Sequence, residues 1–153
     1  MRLSVTIGPY VEVIGKLTKT EIKVKRVCPN HPNQKNDNAK FCPTCGTEIQ
    51  NVDYTEIKVL TPSRVLWSDE RFEDSIYSPG GMEEIFLPNK SVPKKIKIDS
   101  DYGGTVDLSS VDEIKDNQLK WMQETYSEEI NFLIENFGKD KVFVKWGVVS
   151  YWS

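Results

Sequence analysis

A chain of 153 residues with 38% hydrophobic and 28% charged content lies in the globular range and is long enough for one domain with a real core. No run approaches the roughly 20 apolar residues that a membrane-spanning helix needs, and Met1 to Val13 lacks a basic start followed by an apolar stretch, so a soluble, unexported protein is expected. The net charge of −3 is uneven: residues 1–40 hold eight Lys or Arg against three acids, a balance of +5, while residues 41–153 hold twelve against twenty, a balance of −8.

In chain order, Leu3, Val5, Ile7, Val11 and Val13 recur with period two around Gly8-Pro9, which predicts a short meander of strands. Glu21 to Val27 alternates charged and β-branched residues up to Cys28, and Thr47-Glu48-Ile49 and Thr55 to Leu60 alternate again. One strand going out and one returning make an antiparallel ribbon with Cys28 to Cys45 at its tip. Thr20 to Val24 and Thr55 to Val59 are the same pentapeptide, TEIKV, which reads as a coincidence of strand composition because nothing around it repeats.

Pro62 ends the ribbon, and Val65-Leu66-Trp67 reads as a further short strand. Residues 68–93 mix acids, aromatics, Gly80-Gly81 and prolines, and a loop of that length raises the question of a binding role. Lys94 to Ile98 alternates as a strand and Asp99 to Gly104 reads as a turn. Ser110 and Glu113 have the spacing of a capping box, and Gly138 stands where a left-handed terminal residue belongs. Between them Leu119, Met122, Tyr126, Ile130, Leu133, Ile134 and Phe137 recur at steps of three and four, predicting one helix about 40 Å long. Val142, Val144, Trp146 and Val148 alternate with Phe143, Lys145 and Val149 in a strand apolar on both faces, as a central strand would be. The expected fold is α+β: a single domain over residues 1–153, with an antiparallel sheet, one long C-terminal helix packed on it and a metal-bearing β-hairpin inserted over residues 20–60.

Three cysteines, an odd number, cannot all pair in disulfides, whereas three thiolates and one imidazole complete a four-coordinate zinc shell. Cys28-Pro29-Asn30-His31 and Cys42-Pro43-Thr44-Cys45 each leave two residues between ligands, a gap that lets both side chains reach one ion. Soft sulfur with imidazole and no carboxylate selects zinc over magnesium or calcium, and four protein ligands close the shell. One structural zinc held by Cys28, His31, Cys42 and Cys45 is expected, in a reducing cytoplasm.

The run Lys40-Phe41-Cys42-Pro43-Thr44-Cys45-Gly46 resembles the second knuckle of the zinc-ribbon class, with Cys28 to His31 as the first and His31 where a fourth cysteine is usual. The resemblance covers about residues 22–50 and implies two knuckles on a β-ribbon around a structural zinc. The chain as a whole, short and rich in Lys, Asn, Asp and Glu, also resembles accessory proteins of large bacterial viruses, which would place it in the host cytoplasm acting on a host protein.

His31 is the only histidine, so a zinc site consumes every Cys or His available as nucleophile or base. No Walker-type loop or dinucleotide fingerprint is present, and no catalytic residue, membrane or small-molecule substrate is indicated. Asp53, Glu56 and Lys58 faintly suggest a carboxylate metal site, but Glu21 and Lys23 repeat the same E-x-K by simple strand alternation. Asp99, Asp101 and Gly103-Gly104 have no calcium-loop continuation, since Ser110 stands where a Glu belongs.

Two functions fit what is left. A non-enzymatic protein-docking module would use the acidic body with Trp67, Phe72, Tyr77 and Phe86. A nucleic-acid-binding, transcription-associated ribbon would use Lys23, Lys25, Arg26, Lys35 and Lys40, with Phe41 stacking on a base. A pI near 5.3 lacks the electrostatic footprint of the second, which favours docking.

Overall fold

The computed structural model describes residues 2–36, 38–96 and 108–152. Its strands are β1 (Leu3–Val13), β2 (Leu17–Val27), β3 (Gln50–Leu60), β4 (Ile85–Phe86) and β5 (Val142–Trp152), and its helices α1 (Pro62–Trp67), α2 (Val111–Thr125) and α3 (Ser127–Phe137). The chain divides into two compact units, one made of Met1–Leu17 with Leu60–Ser153 and the other of Thr18–Val59. The fold is mixed α and β with antiparallel sheets.

In the first unit the sheet order is β4-β1-β5. The expected meander is instead one unbroken strand: β1 pairs with β5 from Leu3 opposite Trp152 to Val13 opposite Val142. Pro9 does not break it, for a reason of parity. Ile14 N–H donates to Lys141 on the β5 side and Val13 N–H to Glu84 on the β4 side, so odd-numbered residues of β1 aim their N–H away from β5. The donor Pro9 lacks is therefore one that β5 never uses. The central strand is β1 and not β5. Among the described residues β5 is paired on one side only, and its Val148 and Trp152 are exposed.

The expected single helix is two, α2 and α3, meeting at Tyr126 (φ −111°, ψ 29°). Hydrogen bonds from Tyr126 N–H to Met122 and from Ile130 N–H to Tyr126 tie the two helices together at the joint. Thr125 and Ser127 flank the interruption with low helix propensity. The Tyr126 ring is buried, and its hydroxyl accepts N–H from Asn89 and Lys90, both at 3.0 Å. The capping box does not form: Ser110 makes no side-chain cap, and Glu113 pairs with Lys94 at 3.5 Å. Gly138 has the positive φ expected, but with φ 99° and ψ 150° it lies in the region open essentially to glycine alone rather than in the left-handed helical one.

Val65-Leu66-Trp67 is helical, not a strand. Pro62 opens α1, where its missing N–H is no loss, and Val65 and Leu66 turn inward. Residues 68–93 are largely irregular yet supply part of the core. They carry a 3-10 turn at Glu70–Phe72 and strand β4, and they bury Phe72, Ile76, Phe86 and Leu87. Phe72, Ile76 and Phe86 join Val11, Val13, Leu66, Met122, Tyr126, Ile130, Leu133 and Val142 in one apolar cluster. Each large side chain fully buried there contributes about 1.5–3 kcal/mol. Gln118, also fully buried, donates to the Pro93 and Lys94 carbonyls at 3.0 and 3.2 Å and accepts Trp146 Nε1–H at 2.8 Å. Within the expected strand Lys94–Ile98, residues 94–96 form a turn and its exit; its remainder and the expected turn at Asp99 to Gly104 lie outside the described residues.

The second unit is a two-stranded ribbon of β2 and β3, with the cysteine knuckles between them in sequence. The two TEIKV copies lie on partner strands, and Lys23 of one meets Glu56 of the other at 2.5 Å. With Lys23 and Glu56 on one face, alternation puts Ile22, Val24, Ile57 and Val59 together on the opposite face, all exposed. Among the described residues the buried apolar cluster of this unit is only Cys28, Cys42 and Ile49.

Candidate metal centre

β2 ends at Val27 and delivers Cys28 to the first knuckle, where His31 N–H donates to the Cys28 carbonyl at 3.0 Å. In the second knuckle Gly46 N–H donates to the Cys42 carbonyl at 2.8 Å, with Gly46 at φ +74°, a turn an L side chain would strain. Cys42 N–H to Thr47 at 2.8 Å and Ile49 N–H to Lys40 at 3.0 Å close the hairpin that holds this knuckle. These turns bring together the four residues the spacing predicted. One ligand atom from each of Cys28, His31, Cys42 and Cys45 lies within 4.8 Å of all the others, so the cluster can hold one metal ion.

The inner geometry is specific. His31 presents Nδ1 to Cys28 Sγ at 3.7 Å and to Cys42 Sγ at 3.6 Å, and Cys28 Sγ lies 3.5 Å from Cys45 Sγ. Cys28 and Cys42 are buried and Cys45 exposed. The Thr47 hydroxyl and then its backbone N–H hold the Cys45 thiol down to about 5 against the effect of burial. Burial opposes ionisation of Cys42, but the N–H groups of Cys45 and Thr44 outweigh it and lower that thiol. Burial pushes the Cys28 thiol up, and the sulfurs of Cys45 and Cys42 raise the His31 imidazole. The lowered thiols of Cys45 and Cys42 favour negative charge on sulfur beside an imidazole that favours a proton, a setting suited to a metal cation.

Sequence reasoning missed the residues that orient these ligands. Asn30 Nδ2 donates to Thr47 Oγ1 at 3.2 Å and faces Cys45 Sγ at 3.8 Å, tying one knuckle to the other. Gln34 Oε1 accepts from Thr44 Oγ1 at 3.1 Å and stands 3.5 Å from Cys42 Sγ. Only Asn30, inside the two-residue gap, carried a positional hint.

The remaining candidates scatter. Of the basic set, Lys25, Arg26 and Lys35 line one shallow cleft of about 340 Å³. Lys23 is paired with Glu56, Lys25 lies over the Tyr54 ring, Arg26 donates to the Ala39 carbonyl at 2.6 Å, and Lys40 lies over the exposed Phe41 ring. Asp53 and Glu56 fall on opposite faces of β3 by alternation, which leaves no carboxylate pair there. Of the aromatic set, Phe72 (1% exposed) and Phe86 (0%) are core residues and not surface contacts, because their segment packs under α3 and against β1. Trp67 and Tyr77 are 39% and 43% exposed and line an open cleft of about 460 Å³ with Glu73 and Asp74. No helix among the described residues is long and apolar enough to cross a membrane. Compared with protein-family models, with curated proteins and with solved structures, the chain matches none.

Proposed function

We propose that Cys28, His31, Cys42 and Cys45 hold one structural zinc ion and that the chain is a non-enzymatic, zinc-braced docking module for a protein partner. The observation that carries the zinc reading is the cluster's internal geometry. Ligand bonds of about 2.3 Å to sulfur and 2.0–2.1 Å to nitrogen imply tetrahedral edges of about 3.8 Å between sulfurs and about 3.5 Å from sulfur to nitrogen. The Cys28–Cys45 and His31 separations of 3.5–3.7 Å lie close to those edges, and the remaining pairs of ligand atoms lie within 4.8 Å. Three sulfurs and an imidazole favour zinc over hard cations, and four protein ligands leave no position for a reacting water.

The metal would consume the histidine and all three thiols, which removes the usual nucleophiles and bases from the chain. What then remains to act is surface. Trp67 and Tyr77 beside Glu73 and Asp74 combine apolar area with negative charge, a composition suited to an apolar or basic partner surface. Metal analysis with affinity capture from nuclease-treated lysate tests both parts. One zinc per chain and a stoichiometric partner lost on Trp67→Ala are expected; absence of metal, or capture indifferent to Trp67, overturns the corresponding half.

A second reading, nucleic-acid binding through the ribbon, is supported by the cleft that gathers Lys25, Arg26 and Lys35. Binding at physiological salt that weakens steeply as salt rises, and that Lys25→Glu with Arg26→Glu abolishes, would replace docking with this reading.

A further inference from the structure

β4 is only two residues long, and the reason lies in two prolines. β4 pairs with β1 at Val11–Phe86 and Glu12–Ile85, and Val11–Phe86 is a hydrogen-bonded pair by the same parity as Val13 and Glu84. Continuing that register, the next hydrogen-bonded pair is Pro9 with Pro88, and neither has an N–H to give. The ladder stops there. Beyond it the N–H and C=O groups of Val5 and Ile7 aim away from β5, on the side where β4 no longer reaches.

Among the described residues the chain after β4 does not return to that edge, because its polar groups are spent elsewhere. Leu87 exchanges backbone hydrogen bonds with Tyr77 at 2.6 and 2.9 Å, the Asn89 and Lys90 N–H groups go to the Tyr126 hydroxyl, and the Pro93 and Lys94 carbonyls go to Gln118. Pinned at three points, this segment forms the far wall of a cleft of about 720 Å³ whose near wall is β1 from Val5 to Pro9. Tyr77 and Tyr151, with ring centroids 6.0 Å apart, add an aromatic surface. Among the described residues Lys90 and Lys95 line the cleft, and no Asp or Glu does.

We propose that this cleft is a β-augmentation site: it takes an extended, acidic segment of a partner protein as an added strand on the β1 edge. Main-chain hydrogen bonds to Val5 and Ile7 give affinity, and Lys90 and Lys95 select alternating acidic side chains. The site goes beyond the docking surface at Trp67. It shares Tyr77, Pro88 and Asn89 with that cleft but is opposite in charge, and it stands or falls separately.

The experiment titrates the whole protein with a capped peptide of alternating Val and Glu, and with its Val and Lys counterpart, following backbone amides by NMR. The Val-Glu peptide should bind at least about tenfold more tightly than the Val-Lys peptide, since like charges repel, and should shift Val5 and Ile7. Lys90→Glu with Lys95→Glu should reverse that preference. Val5→Pro removes an N–H on the open side only, as Pro9 already does, so it should weaken binding about tenfold while the β1–β5 ladder stays protected from exchange. Trp67→Ala should leave this titration unchanged, which separates it from the docking surface. Equal or absent binding of both peptides overturns the proposal. So does slow exchange of the Val5 and Ile7 amides before any peptide is added, because the chain itself would then cover the edge.

Discussion

The two units reach order by different physics. The unit containing β1 and β5 buries Tyr126, Phe72, Phe86, Leu66, Met122 and Leu133 almost completely, enough apolar surface to fold on hydrophobic grounds. The ribbon has three residues in its buried cluster, two of them proposed metal ligands, and leaves Ile22 75% and Ile57 67% exposed. A two-stranded sheet is marginal by itself in water. The contrast indicates where a metal would act: held by the four clustered ligands, it would take the place of the core that the ribbon does not have.

The largest expected effect follows directly. Structural zinc sites contribute about 10–16 kcal/mol of apparent binding energy to the folding of their domains, so chelation or Cys42→Ser should unfold the knuckles, while far-UV signal from α2 and α3 persists. Conversely, Leu133→Ala empties a fully buried position in the other unit and should cost about 2–5 kcal/mol in denaturant melts without changing metal content. If either change destroyed both units equally, the contrast would be broken.

Smaller effects sharpen it. Tyr126→Phe deprives the Asn89 and Lys90 N–H groups of their shared acceptor and should cost about 1–3 kcal/mol, with faster amide exchange at those two residues. The least change is expected at Glu129, where burial raises the carboxyl above its ordinary value and one oxygen has no hydrogen-bond partner among the described residues. The folded protein keeps that proton to higher pH than the unfolded chain does. Stability is therefore lost as pH rises from the ordinary value of 4.5 through the raised folded value. Glu129→Gln should stabilise slightly at neutral pH and give no gain below the ordinary carboxylate range, as read from melting temperatures across that window.

The metal cluster was legible because ligand spacing is a local property: two residues between donors, then a glycine. Strand alternation and the three-four stripe likewise marked β2, β3, β5 and the helical run. What failed was set by distant partners. Pro9 looked like an interruption until the parity of β1 against β5 showed its missing donor to be unused, and the same proline shortens β4 by facing Pro88. Tyr126 fitted the apolar stripe, yet its hydroxyl reaches Asn89 and Lys90, 37 and 36 positions away, and the helix is interrupted there. Phe72 and Phe86 were aromatic residues in an unpatterned stretch, and nothing local distinguishes an aromatic that docks a partner from one that fills the core beside Leu133. Gln118, a polar residue in a fully buried place, is explained only by Trp146 and two carbonyls that no periodicity reveals.

The most direct measurement is an amide NMR titration of metal-free protein with zinc. At one equivalent, amides from Cys28 to Ile49 should pass from collapsed to dispersed while those of Met122, Leu133 and the β1–β5 ladder stay where they were. A ribbon already ordered without zinc and indifferent to it, or a spectrum in which the whole chain orders only on zinc addition, would contradict the division between a unit held by its core and a unit held by its metal.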